Sequence, residues 1–181
     1  MRIICLVVAT FMASAVPARS TVLLSADLGE LSREARAIAR GRIVAVDAEW
    51  TADHRTIETI VSLEVEAYLK GSLGSIVRFR VPGGRLGRYR NVVVGAPEFA
   101  VDQRVVVFLG ARGPSVPFVL GFSQGVYAVV PADAGIGWVV TPPVVNPTAT
   151  TSRVVRGDPS RRPLPLADFE ARVRDLAAGS R

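Results

Sequence analysis

Short apolar runs separated by polar breaks dominate the middle of the chain. Between Arg42 and Val140 the runs are rich in Val, Ile, Phe and Tyr, and the breaks contain 12 Gly and five Pro. This pattern is typical of an all-β sandwich or barrel. It predicts strands near Arg42–Glu49, Thr56–Leu69, Ser75–Val81, Asn91–Val94, Arg104–Leu109, Phe118–Phe122, Gly125–Val130 and Trp138–Val140.

The second and third predicted strands show which of their faces is buried. Odd positions from Ile57 to Leu69 are apolar except for Thr59, and the even positions include three glutamates. The third strand repeats this parity. If residues whose numbers sum to 144 are paired, Glu66 lies opposite Arg78 and Glu64 opposite Arg80. The pattern therefore predicts a hairpin with one buried face and a row of cross-strand ion pairs on the solvated face, rather than a carboxylate active site.

Two amphipathic segments flank the predicted strands. Asp27 to Arg40 predicts a helix, because Asp27 and Glu30 fit a capping box and Gly41 can end the segment. Leu166 to about Ala178 predicts a second helix with one apolar stripe, which we expect to dock on the strands rather than on a partner.

The first residues have the pattern of an export signal. Arg2 precedes an apolar run, and small residues follow, so residues 1–18 predict a signal peptide cleaved after Ala15 or Ala18. The alternative is an uncleaved anchor, although the run is shorter than the roughly 20 residues that span a bilayer. We expect a secreted or periplasmic protein that meets the membrane only through this signal, before cleavage.

Four regions follow from these patterns. Residues 1–18 form the signal peptide, and residues 19–140 form a β-barrel domain with its leading helix. Residues 141–165 contain six of the 12 prolines and predict an extended connector without strands. Residues 166–181 form the C-terminal amphipathic helix.

Composition limits the chemistry. The chain has 181 residues, one His and one Cys, so a single copy cannot build a His/Cys zinc site or a disulfide framework. We expect no metal and no cofactor. The net charge is +6 and the pI is about 10.6. For an exported protein this balance favours an anionic envelope polymer or a protein as partner over a specific nucleic acid.

Catalytic groupings are weakly represented. His54 lies in a polar link, and no Gly-x-Ser-x-Gly elbow, Walker-type loop or dinucleotide fingerprint is present. The carboxylates Asp47, Glu49, Asp53 and Glu58 flank one hairpin, and spacing does not select a pair among them. An Asp/Glu-dependent secreted hydrolase using Glu58 or Asp53, with His54, is therefore the alternative function.

The most distinctive segment is Val81 to Arg90. Gly83 and Gly84 would let the backbone approach a ligand, as would Gly87. Arg85, Arg88 and Arg90 offer planar guanidinium groups to carboxylate, sulfate or phosphate, and Tyr89 can stack on a ring. The competing interpretation is a structural loop, since glycines with positive φ are common between strands. If the chain has a ligand site, this segment is the best candidate.

Residues 30–130 resemble netrin-like modules, which include the tissue inhibitors of metalloproteinases. The resemblance rests on Ala37–Val44, on Val65–Gly71 with the Gly-rich loop after it, and on Gln103–Leu109. The chain is also similar to an uncharacterised group of secreted bacterial proteins with Gly-Ala-Pro-x-Phe and Gln-Gly-Val segments. The resemblance implies a secreted OB-type barrel flanked by helices. It does not transfer inhibition, because metalloproteinase inhibitors place an N-terminal Cys on the catalytic zinc and the mature chain would contain no Cys.

The sequence thus predicts a mainly β protein, an OB-like antiparallel β-barrel with one N-terminal and one C-terminal helix. The predicted function is that of an exported, non-enzymatic binding or interaction module. Its alternatives are the Asp/Glu-dependent hydrolase and an OB-fold that binds anionic polymers.

Overall fold

The computed structural model describes residues 26–113, 115–132, 137–142 and 162–179. The described chain is mainly β, with 48% of it in strands and two α-helices. The helices are α1 (Leu28–Glu34) and α2 (Leu166–Ala178). The strands are β1 (Ala37–Trp50), β2 (Ile57–Lys70), β3 (Ile76–Pro82), β4 (Gly84–Leu86), β5 (Tyr89–Asn91), β6 (Arg104–Gly110), β7 (Phe118–Val119), β8 (Val126–Pro131), β9 (Trp138–Thr141) and β10 (Leu164–Pro165).

Eight strands form one sheet in the order β1-β2-β3-β7-β6-β8-β9-β10, and β4 and β5 form a separate ribbon. β1 also pairs with β6, so the hydrogen bonding passes from β1 through β2, β3, β7 and β6 and returns to β1. The link between β3 and β7 is a parallel pairing of Arg80 with Phe118. The other pairings in this ring are antiparallel.

The two faces of β6 bury two different clusters of apolar side chains. Val105, Val107 and Leu109 pack with residues of β1, β2 and β3, including Phe79. Val106 and Phe108 pack on the other face with residues of both helices. Because both faces of this strand are covered, its sequence is a continuous apolar run rather than an alternating one.

The C-terminal helix has the predicted bounds and docks on the sheet. Phe169 and Val173 are buried in the cluster that contains Val106 and Phe108, and the Phe169 ring lies 4.9 Å from the ring of Tyr127. The connector before α2 was predicted to contain no strand, which is wrong for Leu164–Pro165, because these residues pair with β9. Residues 143–161 lie outside the described part.

The N-terminal helix is shorter than predicted. The side chain of Asp27 accepts a hydrogen bond from the Glu30 backbone N–H (2.6 Å), as expected for a cap, but the helix ends at Glu34. Residues 37–40 belong to β1 and are hydrogen-bonded between β2 and β6. Burial between two strands therefore outweighs the helical spacing of this segment.

Gly41 lies within β1 and does not end a helix. Its position has a physical reason, because a Cβ there would lie only 2.1 Å from the carbonyl oxygen of Glu64. The pairing of β1 with β2 shifts register at this point, between Arg40 and Gly41. The glycine is needed for close approach of the two strands.

The predicted hairpin has the right buried face and the wrong register. Paired residues of β2 and β3 have numbers that sum to 140, so Ser62 lies opposite Arg78 and Ile60 opposite Arg80. The connection, residues 71–75, has five residues as predicted, but the pairing with β3 ends at Glu64. The Tyr68 hydroxyl donates to the Gly74 carbonyl (2.7 Å) and accepts from the Leu73 N–H (2.9 Å). This closed turn displaces the start of β3 pairing toward the N-terminal part of β2.

Other strand predictions divide into confirmed and wrong ones. Strands predicted near 56–69, 75–81, 104–109, 125–130 and 138–140 are confirmed to within one residue at each end. The strand predicted at 91–94 is wrong, because only Asn91 is in a strand and that strand belongs to the β4–β5 ribbon. The strand predicted at 118–122 ends at Val119, since Gly121 adopts a φ of 61° and a short 3-10 helix follows.

The predicted signal peptide, residues 1–18, lies outside the described residues. Within the described ranges, neither helix is long and apolar enough to cross a membrane.

Candidate functional site

The Gly-rich segment forms a two-stranded ribbon. β4 and β5 are joined by a turn at Gly87 and Arg88, and Arg85 lies directly opposite Arg90. Gly84 has a φ of 149°, and a Cβ there would lie 2.6 Å from the Thr59 hydroxyl oxygen. The absence of a side chain at Gly84 therefore allows the ribbon to lie against β2.

Hydrogen bonds attach the base of the ribbon to β2. The Thr59 hydroxyl donates to the Gly83 carbonyl (2.7 Å), and the Gly83 N–H donates to the Ile57 carbonyl (3.0 Å). The Asn91 side-chain amide donates to the same Ile57 carbonyl (3.3 Å). Both ends of the ribbon are thus fixed to one strand of the sheet, which gives its side chains defined positions.

A cleft of about 470 Å³ lies between this ribbon, the ends of β2 and β3, and residues 92–99. Its volume is in the usual range for small-ligand sites. It is lined by Val46, Thr59, Val81, Pro82, Gly83, Gly84, Arg85, Arg90, Asn91, Val92, Val93, Ala96, Pro97, Glu98 and Phe99. Four of the six residues predicted for a ligand site, Gly83, Gly84, Arg85 and Arg90, are among them.

Arg85 and Arg90 are exposed cations facing the same space. Side chains of directly opposed residues lie on one face of a ribbon, and like charges at such positions are destabilising. Among the described residues, no hydrogen bond or ion pair engages either guanidinium, although Glu98 lines the same cleft. Within the described part of the chain, these two arginines are therefore not bonded to a carboxylate.

Arg88 and Tyr89 do not line the cleft. The Arg88 guanidinium lies over the Tyr89 ring, 5.0 Å from its centroid, and donates to the Tyr89 hydroxyl (2.9 Å). The Tyr89 ring makes an edge contact with Trp50 at the end of β1, with 5.4 Å between centroids. These two predicted site residues thus interact with each other and with the sheet.

Residues 92–99 form a wall of the cleft that the sequence pattern did not predict. In sequence, Gly95 and Pro97 indicate a turn, and the apolar Phe99 and Val101 after it are expected in the core. Phe99 does pack on Phe79, with 5.4 Å between ring centroids, and it also lines the cleft. Val101 is 55% exposed, so its prediction was wrong.

The carboxylates of the alternative function lie around the turn of the β1–β2 hairpin, at the end of the hairpin to which the ribbon is attached, and Glu58 lies opposite Pro82 of the cleft lining. Glu49 and Glu58 are opposite one another in register. Asp53 accepts a hydrogen bond from the Thr51 hydroxyl (2.6 Å), which lowers the pKa of its carboxyl group. His54 adopts a φ of 53° in the exposed turn, and no described residue makes a hydrogen bond with its imidazole.

Within the described ranges, no group of three or more His, Cys, Asp or Glu side chains is placed to hold a metal ion.

Three arginines of β1 and β6 are paired with carboxylates, in a group that we call the charge ladder. It comprises Arg40, Arg42, Arg104, Glu64, Glu66, Asp102 and Glu170. Arg42 contacts Glu64 and Asp102, both at 2.7 Å, and the hydrogen bond with Asp102 is the main cause of the raised pKa of Arg42. Arg104 lies 3.0 Å from Glu66 and stacks over Trp138.

No family model matches this sequence, and no curated protein or solved structure matches the chain.

Proposed function

We propose that the chain is an exported, non-enzymatic binding module that holds an anionic ligand between Arg85 and Arg90. The observation that carries this proposal is the opposed pair of exposed guanidinium groups on a cleft of about 470 Å³, without an ion pair among the described residues. Two like charges placed together need an external counter-charge to become favourable. An anion in the cleft would supply it.

The energetics favour a site over an incidental surface. Hydrogen bonds to charged groups contribute roughly 1.5–3 kcal/mol each. A guanidinium can bind a carboxylate, sulfate or phosphate with two parallel hydrogen bonds. The ribbon already has its position fixed by Thr59, Asn91 and Ile57, so little ordering is needed when a ligand binds.

The fold that we propose for this module is an OB-like barrel of the netrin-like kind. Support comes from the ring of pairings through β1, β2, β3, β7 and β6 and from a helix on either side of the strands in sequence. In OB-folds, loops between strands frame the ligand-binding face. The β4–β5 ribbon connects β3 with β6 and occupies such a position. Export rests on the pattern of residues 1–18.

Binding to dextran sulfate, with neutral dextran as the blank, tests the proposal. We expect Arg85→Ala and Arg90→Ala each to weaken binding by about tenfold, because each removes charge-assisted contacts. Arg88→Ala is the matched control, since it removes the same charge from the same ribbon outside the cleft, and we expect a change of less than about twofold. Unchanged binding in both Arg85→Ala and Arg90→Ala would refute the proposal.

A further inference from the structure

One edge of the cleft, which we call the lip, is cationic and is formed by Arg85 and Arg90, whereas the wall of the cleft is apolar. Apart from Arg85, Arg90 and Glu98, its side chains are uncharged, and the apolar ones come from four separate parts of the chain. These are Val46, Val81, Pro82, Val92, Val93, Ala96, Pro97 and Phe99. A ligand that carried charge along its whole length would leave this wall without a complementary partner.

The charges of the lip fit a ligand that carries one anionic group rather than a ligand that carries several. Arg85 and Arg90 are the cleft's cations, and they are direct cross-strand neighbours. The third arginine of the ribbon, Arg88, is engaged by the Tyr89 ring. Glu98 lines the same cleft and would repel a second negative charge on the ligand. Two adjacent guanidinium groups beside one carboxylate thus select a monoanionic head.

The size of the cleft limits the rest of the ligand. With about 30 Å³ for a water-sized group, a volume of about 470 Å³ holds a ligand of on the order of 15 such groups. One carboxylate and an apolar body of medium length fit this space, whereas a polymer would extend out of it.

An exposed apolar side chain extends the wall at the mouth of the cleft. Val92 lines the cleft and is 67% exposed. Val94, two residues later, is 87% exposed and is not part of the lining. The apolar body of a ligand would therefore cover Val92 on entry, and Val94 provides a control on the same segment.

We infer that the ligand of this cleft is a compact amphipathic carboxylate. Its head group is bound by Arg85 and Arg90, and its apolar body lies against Val92, Val93 and Phe99. This inference rests on the proposed function, because it assigns the ligand class of the same site. The chemistry is shared by free aliphatic acids and by the carboxyl ends of apolar peptides.

Calorimetric titration of the purified protein with unbranched carboxylates from acetate to decanoate tests the inference. Burial of each methylene group contributes about 0.8 kcal/mol, so affinity should rise by roughly three- to fourfold per carbon until the wall is covered. The primary alcohol of equal length should bind at least about tenfold more weakly, because it lacks the charge. An affinity that does not rise with the chain length of the carboxylate would overturn the inference.

Two pairs of variants locate the ligand in the cleft. Arg85→Ala should weaken the binding of every acid by about tenfold and keep the increment per methylene, whereas Arg88→Ala should change neither. Val92→Asp should weaken octanoate binding at least about fivefold, because it places a negative charge at the mouth. Val94→Asp adds the same charge outside the lining and should have little effect. Equal losses in Val92→Asp and Val94→Asp would overturn the assignment.

Titration with a peptide distinguishes the two sources of the ligand, which are free aliphatic acids and the carboxyl ends of apolar peptides. An N-acetylated apolar tripeptide with a free carboxyl end is compared with its C-terminal amide and with octanoate. Tighter binding of the free-carboxyl peptide than of octanoate would identify peptide ends as the ligand, and the reverse would identify free acids. Equal binding of the peptide and its amide, together with no octanoate binding, would overturn the inference.

The failures of the two proposals are distinguishable. If dextran sulfate and acetate bind through Arg85 and Arg90 but chain length adds nothing, the amphipathic ligand is wrong and the anion site stands. If dextran sulfate binding does not depend on these arginines, the proposed function is wrong and the inference is lost with it. Acid binding that rises with chain length but is unchanged in Arg85→Ala would also overturn the inference.

Discussion

The arginines of the charge ladder and those of the cleft have opposite environments. In the ladder, Arg42 is bound by two carboxylates at 2.7 Å, and Arg40 lies 3.3 Å from Glu170 of α2. In the cleft, Arg85 and Arg90 face each other without an ion pair among the described residues. The same residue type therefore has two roles, of which one connects elements of the fold and the other remains available to a ligand.

The difference follows from where each arginine enters the fold. Arg40 and Arg42 lie on β1, between β2 and β6, so carboxylates from neighbouring strands and from α2 surround them. Arg85 and Arg90 project from a ribbon that pairs only with itself. A ribbon outside the main sheet has no neighbouring strand with carboxylates, and two of its three arginines, Arg85 and Arg90, line the cleft.

The largest expected effect is on the scaffold of the cleft. Gly84→Val should destabilise the protein by about 3 kcal/mol, because it combines a strained φ with a clash against Thr59. Thermal unfolding should shift down by roughly 6–12 °C. Gly87→Val is the matched control, since Gly87 also has a positive φ but no atom within 4 Å of its Cβ position. Equal shifts in the two variants would show that the contact with β2 does not matter.

The next largest effect is a difference in the stability of the protein between variants of the charge-ladder arginines and variants of the cleft arginines. Arg40→Ala should destabilise the protein by about 2 kcal/mol, because its side chain is only 22% exposed and its guanidinium joins Glu66 to Glu170. Arg85→Ala should change the free energy of unfolding by less than about 0.5 kcal/mol. Urea unfolding measures both. Dextran sulfate binding should be weakened more by Arg85→Ala than by Arg40→Ala. A loss of stability in Arg85→Ala as large as in Arg40→Ala would contradict the distinction between the arginines of the cleft and those of the charge ladder.

A smaller effect concerns pH and Tyr127 of β8, which packs between Phe108 and Phe169. Burial raises the pKa of Tyr127 to about 12 from 10.0 in the unfolded chain. The folded state therefore disfavours ionisation, so the stabilising contribution is complete below pH 10 and is lost as the pH rises toward 12. At pH 11 the loss should be roughly 1 kcal/mol.

Removal of the Tyr127 hydroxyl tests this pH dependence. Tyr127→Phe should flatten the decline of stability between pH 10 and pH 12, measured by urea unfolding. An equal decline of stability with pH in Tyr127→Phe and in the unaltered protein would contradict the assignment of this decline to Tyr127.

The smallest expected effect is the repulsion inside the cleft. Replacing Arg90 by Thr should stabilise the ligand-free protein by about 0.5 kcal/mol at low ionic strength, because it removes a like charge opposite Arg85. The gain should fade at 1 M salt, where the screening length is about 3 Å. A gain that does not depend on salt would assign the effect to strand propensity instead.

Local patterns predicted much of the fold. The spacing of Leu166, Phe169 and Val173 defined α2 because a helical stripe of 13 residues has no competing interpretation. The helix prediction for residues 37–40 was wrong, because the spacing of their apolar side chains fits a helix as well as a strand. Pairing with β6 determines that these residues form a strand. The register of β3 was wrong because a hydroxyl of Tyr68 closes the preceding turn, which is a contact that no alternation of apolar residues reveals.

The candidate site was predicted in part. The Gly-rich, Arg-rich composition of residues 83–90 located the ribbon, since glycines with positive φ and clustered guanidinium groups are visible in sequence. The wall formed by Val92, Val93 and Phe99 was not predicted, because it is assembled by the fold from a segment without regular structure. Nor did sequence separate Arg88 from Arg85, because Arg88 lies in the turn between β4 and β5, where its guanidinium contacts the Tyr89 ring.

The most direct test of the central claim is a nitrogen-15 NMR titration of the arginine side-chain Nε–H signals with octanoate. The signals are assigned by loss in Arg85→Ala, Arg90→Ala, Arg42→Ala and Arg104→Ala. We predict that the Nε–H signals of Arg85 and Arg90 shift in a saturable way, while those of Arg42 and Arg104, already bound to carboxylates in the charge ladder, stay in place. Equal shifts in all four signals, or no shift for Arg85 and Arg90, would contradict the claim.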